Sequence, residues 1–136
     1  MRHDLGQLCR AFCENGMMTT VITNGLLLPE RAHEIGGEVH CIIVSLDYPQ
    51  ATDHNSSRGM PGLFARAVEG IEVLKRMNSP GTIVINCLLH RVNEPMMGQM
   101  AELARSLGVW LWVCPAKEGT LKETGKLNKE ALASRE

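Results

Sequence analysis

Four short runs of apolar and β-branched residues recur along this chain, and a stretch with helical apolar spacing separates each from the next. The runs lie at 18–23, 39–46, 82–90 and 109–113. The second (VHCIIVSL) and third (TIVINCLLH) are nearly continuous, as expected of strands buried on both faces of a parallel sheet. Strands that alternate with helices need crossover connections, so this order predicts an α/β fold.

The helical stretches follow from spacing. In residues 2–15, Leu5, Leu8, Cys9, Phe12 and Cys13 form one apolar stripe, which predicts a buried face for that helix, and Gly16 supplies its stop. Residues 28–35 open at Pro29 and close at Gly36 and Gly37. A helix at 61–77 carries Phe64, Val68, Ile71 and Leu74 on one side. Asn93 is placed to cap a further helix, with Pro95 in its first turn and Met96, Met100, Leu103, Ala104 and Leu107 along its stripe. Residues 47–60 are polar and read as a long connection, of the kind that often carries function. The expected order is α-β-α-β-α-β-α-β-α. The expected division is a partial barrel domain at 1–116 and a charged segment at 117–136, a candidate next helix. A complete eight-stranded barrel takes roughly 200–250 residues, and this chain has 136. Four strands make either a small open sheet or a piece of a larger barrel.

Composition narrows the function classes. Fifteen acidic and fourteen basic residues leave a net charge of −1, against a polybasic nucleic-acid surface. The longest apolar run, 109–114, is far shorter than the roughly 20 residues of a membrane span. Five scattered cysteines and a polar N-terminus without a signal-peptide core point to free thiols in a reducing cytoplasm. Phosphate-loop, dinucleotide-loop and nucleophile-elbow patterns are absent. Trp110 and Trp112 alternate along the last strand and are expected to form a packed face.

In parallel α/β folds, ligands bind at the C-terminal ends of the strands. The first strand ends in Thr23-Asn24-Gly25 and the second in Ser45-Leu46-Asp47, with Ser45 and Asp47 on one face. Gly25 would let a backbone approach a ligand closely. The polar connection adds Asp53, His54 and Arg58, whose guanidinium could clamp a carboxylate or phosphate. Each has a plainer reading: Asn-Gly as a turn, Ser-x-Asp as a cap, Arg58 as a solvated charge.

Together these blocks resemble the radical S-adenosylmethionine (radical SAM) enzymes. The matching succession covers roughly four-fifths of the chain. A strand ends in TNG, and a second ends in SLD followed by a proline. The passage from His54 through Arg58-Gly59 and Gly62 to Phe64 comes next, then MAELARSLG before the last strand. The resemblance implies a partial TIM-type (β/α) barrel with about four parallel strands. It implies that Thr23, Asn24 and Gly25 lie at the rim beside S-adenosylmethionine, that Ser45 and Asp47 face it, that Arg58 meets its carboxylate, and that Asn86 points toward cofactor or substrate. It also implies a 4Fe-4S cluster that cleaves the cofactor reductively to abstract hydrogen from a small-molecule or peptide substrate. The cluster needs three thiolates on a CxxxCxxC loop. This chain has only Cys9 and Cys13 at the first spacing, with Gly16 where the third ligand would stand. Both cysteines are expected in the core, as are Cys41 and Cys87. No metal ligand and no catalytic residue is assigned. The expectation is a central fragment, inactive alone, whose N-terminal barrel half lies elsewhere or on a separate chain. A non-enzymatic α/β binding module is the alternative. Two free sheet edges predict poor solubility or self-association.

Overall fold

The computed structural model describes residues 3–79 and 81–116. The elements run α1 (Leu5–Glu14), β1 (Thr20–Thr23), α2 (Leu28–Ile35), β2 (Cys41–Ser45), α3 (Ala51–Arg58), α4 (Leu63–Arg76) and β3 (Thr82–Leu89). A 3₁₀ turn (Glu94–Met96), α5 (Met97–Leu107) and β4 (Trp110–Pro115) complete them. The four strands form one sheet in the order β1-β2-β3-β4, and every pair is parallel. This is the α/β alternation of a partial (β/α) barrel. The segment expected as a final charged helix, 117–136, lies outside the described residues.

One face of the sheet holds the core. Ile42, Val44, Ile83, Ile85 and Cys87 pack with Ala32 and Ile35 of α2, Ala67, Ile71 and Leu74 of α4, and Met100 and Ala104 of α5. A fully buried branched side chain of this kind contributes about 1.5–3 kcal/mol. Small residues set how closely the layers approach. At Gly70 in α4, an added Cβ would lie 2.6 Å from Leu28 Cβ, so α2 and α4 meet through that gap. The other face carries Ile22, Ile43, Val84 and Trp110 in one register row, and Ser45, Asn86 and Trp112 in the next. Trp110 is 72% exposed, Ile22 69% and Trp112 54%, so none of the described helices covers this face.

That asymmetry corrects two expectations. Trp110 and Trp112 do not form a packed face, because the layer that would cover them is not part of the described fold. Cys41 is half-buried rather than in the core, at the first position of β2 on the uncovered face.

Three further departures have local causes. The 47–60 stretch is not merely a connection; it contains α3, which buries only His54 and so shows no apolar stripe. Gly59, at φ 62°, ends that helix in the left-handed conformation. Phe12 is exposed, because α1 turns Gly6 and Cys9 inward. An added Cβ on Gly6 would stand 2.3 Å from the Glu34 carbonyl, so α1 crosses the end of α2 at contact distance. Cys13 is consequently half-buried among polar groups, with its thiol donating to the Glu38 carbonyl at 2.8 Å and 3.5 Å from Thr19 Oγ1. Finally, Asn93 occupies the N-cap position of the 3₁₀ turn but makes no capping bond. Its side chain bridges the exits of β2 and β3 instead.

Candidate functional site

The C-terminal ends of β2 and β3 are tied together by side chains that take over from the strand ladder. Leu46 N–H still donates to the Asn86 carbonyl at 3.0 Å. Beyond it the chain leaves the sheet, and Asp47 Oδ1 accepts the Leu88 N–H at 3.0 Å in place of a backbone carbonyl. Asp47 Oδ2 pairs with Arg58 Nη2 at 2.5 Å. The Asp47 N–H donates to His54 Nδ1 at 3.3 Å. Asn93 Nδ2 donates to the carbonyls of Asp47 (2.8 Å) and Leu88 (2.9 Å), while its Oδ1 accepts the His90 N–H at 2.8 Å. Tyr48 Oη lies 3.4 Å from His90 Nε2. Asp47, Tyr48, His54, Cys87, His90 and Asn93 are all buried. Polar residues at this density survive in a core only because each is held by hydrogen bonds.

The expected site residues fall into three groups. Ser45 and Asn86 are register partners on the uncovered face. Asp47 and Arg58 are brought together as an ion pair. Thr23, Asn24 and Gly25 form a turn of their own: Thr23 Oγ1 accepts the Gly25 N–H and Asn24 Oδ1 accepts the Leu26 N–H, both at 3.1 Å. The close approach at Gly25 is to Ala67 of α4, whose Cβ would lie 2.6 Å from an added side-chain carbon.

Sequence reasoning did not single out Tyr48 and His90 and treated Asn93 only as a cap. The available signal was the pairing of two strand exits, SLDY and LLHRVN, each carrying polar residues directly after an apolar run.

Three buried polar atoms in this region have no hydrogen-bond partner: Asn86 Oδ1, His54 Nε2 and His90 Nδ1. An unmade buried bond costs about 1–3 kcal/mol, so each marks either strain or a place for another group. For the histidines the consequence is acid sensitivity. Burial pushes both imidazoles below their ordinary range, outweighing the pull of nearby Asp47. Each is neutral in the fold but takes a proton when unfolded. Stability should therefore be flat above about pH 6.5 and fall as pH drops below it, by up to about 1.4 kcal/mol per pH unit for each imidazole. Urea unfolding between pH 5 and 8 measures this; a midpoint that does not fall below pH 6.5 contradicts it.

A 4Fe-4S cluster does not fit the described residues, among which no three His, Cys, Asp or Glu side chains are grouped to hold a metal. The Cys87 thiol is pushed up to about 12, chiefly by burial and then by Asp47. The requirement of S-adenosylmethionine is different. The partnerless Asn86 acceptor beside the Ser45 hydroxyl fits the hydroxyl and amino donors that such a molecule presents.

No family model matches the chain. It is 35% identical over 109 residues to the AdoMet-dependent heme synthase of Methanosarcina barkeri, covering 79% of this chain and 31% of that protein. To the enzyme of the same name from Oleidesulfovibrio alaskensis it is 34% identical over 115 residues, covering 82% and 29%. The PqqA peptide cyclase of Granulibacter bethesdensis is 26% identical over 110 residues, covering 79% and 29%. Among solved structures, TYW1 with a lysine–pyruvate adduct bound superposes with a TM-score of 0.70 at 21% identity, over 96% of this chain and 41% of that one. The chain belongs to the radical SAM superfamily. Its four strands are a partial piece of the radical SAM barrel. A domain of pyruvate-formate lyase-activating enzyme from Bacteroides vulgatus matches with a TM-score of 0.56 at 14% identity, over 81% of this chain and 89% of that one. The chain spans about 29–31% of the length of the curated radical SAM relatives it matches. No helix among the described residues is long and apolar enough to cross a membrane.

Proposed function

We propose that this chain supplies one wall of a radical SAM active site, the part that orients S-adenosylmethionine, and that the cluster ligands come from a region outside it. The observation that carries this reading is Asn86 Oδ1, a buried acceptor with no partner, beside Ser45 at the strand ends of the uncovered face. Bound S-adenosylmethionine supplies the hydrogen-abstracting chemistry of the family. The residues of this chain bind and orient. Asn86 accepts a hydrogen bond, Ser45 donates or accepts beside it, and Asp47 and Asn93 hold the two strand exits in register. The described residues do not fit the cluster, so no reductive step is assigned to this chain. The named relatives make a heme in one case and cyclise a peptide in the other, and the substrate therefore stays outside this reading.

Asn86→Leu separates a ligand role from a structural one. Removing a partnerless acceptor should leave the free fold unchanged or stabilise it by about 1 kcal/mol. The same change should weaken S-adenosylmethionine binding about tenfold or more, as loss of one buried hydrogen bond does. Equilibrium dialysis with labelled S-adenosylmethionine and a thermal melt read the two effects. Equal affinity in both proteins, or no binding by either, would sink the proposal and favour a non-enzymatic α/β module.

A further inference from the structure

Helix α3 has little of its own to keep it in place. It is eight residues long and buries only His54. A helix that short does not persist alone in water, so α3 lasts while its outside contacts hold. Two of these meet on Asp47. His54 Nδ1 accepts the Asp47 N–H, and Arg58, one turn later, pairs with the Asp47 carboxylate. Two more are uncharged: Asn55 Oδ1 accepts the Phe64 N–H of α4 at 2.9 Å, and Gln50 Nε2 donates to Gln99 Oε1 at 3.2 Å. The bond to Asp47 also fixes the state of the imidazole. A backbone N–H only donates, so Nδ1 is bare and the proton sits on Nε2. Nε2 is buried without a partner, and the ring meets Phe64 edge to face with centroids 6.2 Å apart. A second proton would aim one donor at another and leave Nε2 as idle as before. It would also place a cation on α3 one turn before Arg58. Burial opposes that charge most, Asp47 favours it and Arg58 opposes it.

We infer that His54 is a positioning residue for the rim of the site. Neutral, it seats α3, and with α3 Arg58, on the exit of β2; protonated, it releases the Asp47 N–H and both come away. Unseating returns the ring to water, where an imidazole takes a proton below about pH 6.5. The opening of α3 is therefore independent of pH above about 6.5 and rises up to about tenfold per unit below it. The consequence for a ligand rests on the S-adenosylmethionine wall proposed above. Asp47 joins the exits of β2 and β3 just past the Ser45 and Asn86 pair, so the ligand meets the rim with α3 seated. Ligand and proton then act on α3 in opposite directions.

Hydrogen exchange of the full chain between pH 5 and 8, read by mass spectrometry on peptides from α3, tests this. Dividing each rate by that of an unstructured chain at the same pH gives the opening equilibrium. For α3 it should be constant above about pH 6.5 and rise about tenfold per unit below. His54→Asn keeps an acceptor at the place of Nδ1 and does not titrate, so its α3 should open to the same extent at every pH. His54→Leu fills the space without an acceptor and should open α3 at least about tenfold more at pH 7.5. If neither variant folds, the pH course of the unchanged chain still decides. Opening of α3 that ignores pH overturns the inference. So does a rise of equal slope in His54→Asn, which would move the acid response to His90 at the exit of β3. S-adenosylmethionine at ten times its dissociation constant should reduce α3 opening about tenfold at pH 7.5. Binding, seen by equilibrium dialysis, that leaves α3 opening unchanged overturns the positioning role. No binding at all sinks the proposed wall instead, and the pH course of exchange still judges the seating of α3.

Discussion

Replacing Asn93 by alanine should cost about 3–5 kcal/mol, among the largest effects a single substitution has on a domain of this kind. The side chain is fully buried and makes three hydrogen bonds to backbone: one from the His90 N–H and two to the carbonyls of Asp47 and Leu88. Truncation leaves one donor and two acceptors facing a cavity, and an unmade buried bond costs about 1–3 kcal/mol. The Cys87 thiol, 3.6 Å from the Asp47 carbonyl, compensates only weakly. Domains of this size hold about 5–15 kcal/mol in total, so the variant should be barely folded. Asn93→Asp should fare no better, since it keeps the acceptor for His90 but turns a second oxygen toward two carbonyls. Urea denaturation followed by circular dichroism measures both. A loss under about 1 kcal/mol in either would show that these bonds do not join the strand exits.

The second large effect is expected at Gly25. Its φ is +87°, and an added Cβ would stand 2.6 Å from Ala67 Cβ and 2.7 Å from Ala67 Cα. A left-handed non-glycine residue costs about 1 kcal/mol. Overlap with a helix backbone that cannot rotate aside adds about 1–3 kcal/mol. Gly25→Ala should therefore lose about 2–4 kcal/mol. Gly16 is the control. It has a similar φ of +73° with nothing within 4 Å of the added carbon, so Gly16→Ala should lose only the backbone share. Equal losses at the two positions would mean that Ala67 gives way freely.

The alternation of strands and helices was readable because apolar runs and stripes recur where a core is shared between layers. Leu28–Ile35 emerges at its expected bounds for this reason, with proline at its start and glycines after it. The failures fall where burial and periodicity part company. Helix α3 buries one side chain and so carries no pattern. Trp110 and Trp112 carry a strand pattern, yet the layer it anticipates is not among the described elements. Ser45 could be placed from a two-residue repeat, but Asp47 lies past the end of β2, where the repeat no longer holds and the carboxylate turns to the Leu88 N–H and Arg58. The role of Asn93 could not be placed, because its partners are backbone groups 46 and five residues away in sequence.

The Asp47–Arg58 pair has a consequence for any anion that comes to the strand ends. The guanidinium already holds a carboxylate that is tethered within the same chain. A visiting carboxylate must share it or displace a rival whose effective concentration far exceeds that of a free solute. Together the two charges also sum to zero, so from a distance the rim presents a dipole, which attracts at shorter range than a bare cation. Approach of an anionic ligand should thus depend only weakly on ionic strength, and discrimination there would come from geometry at contact rather than from long-range attraction.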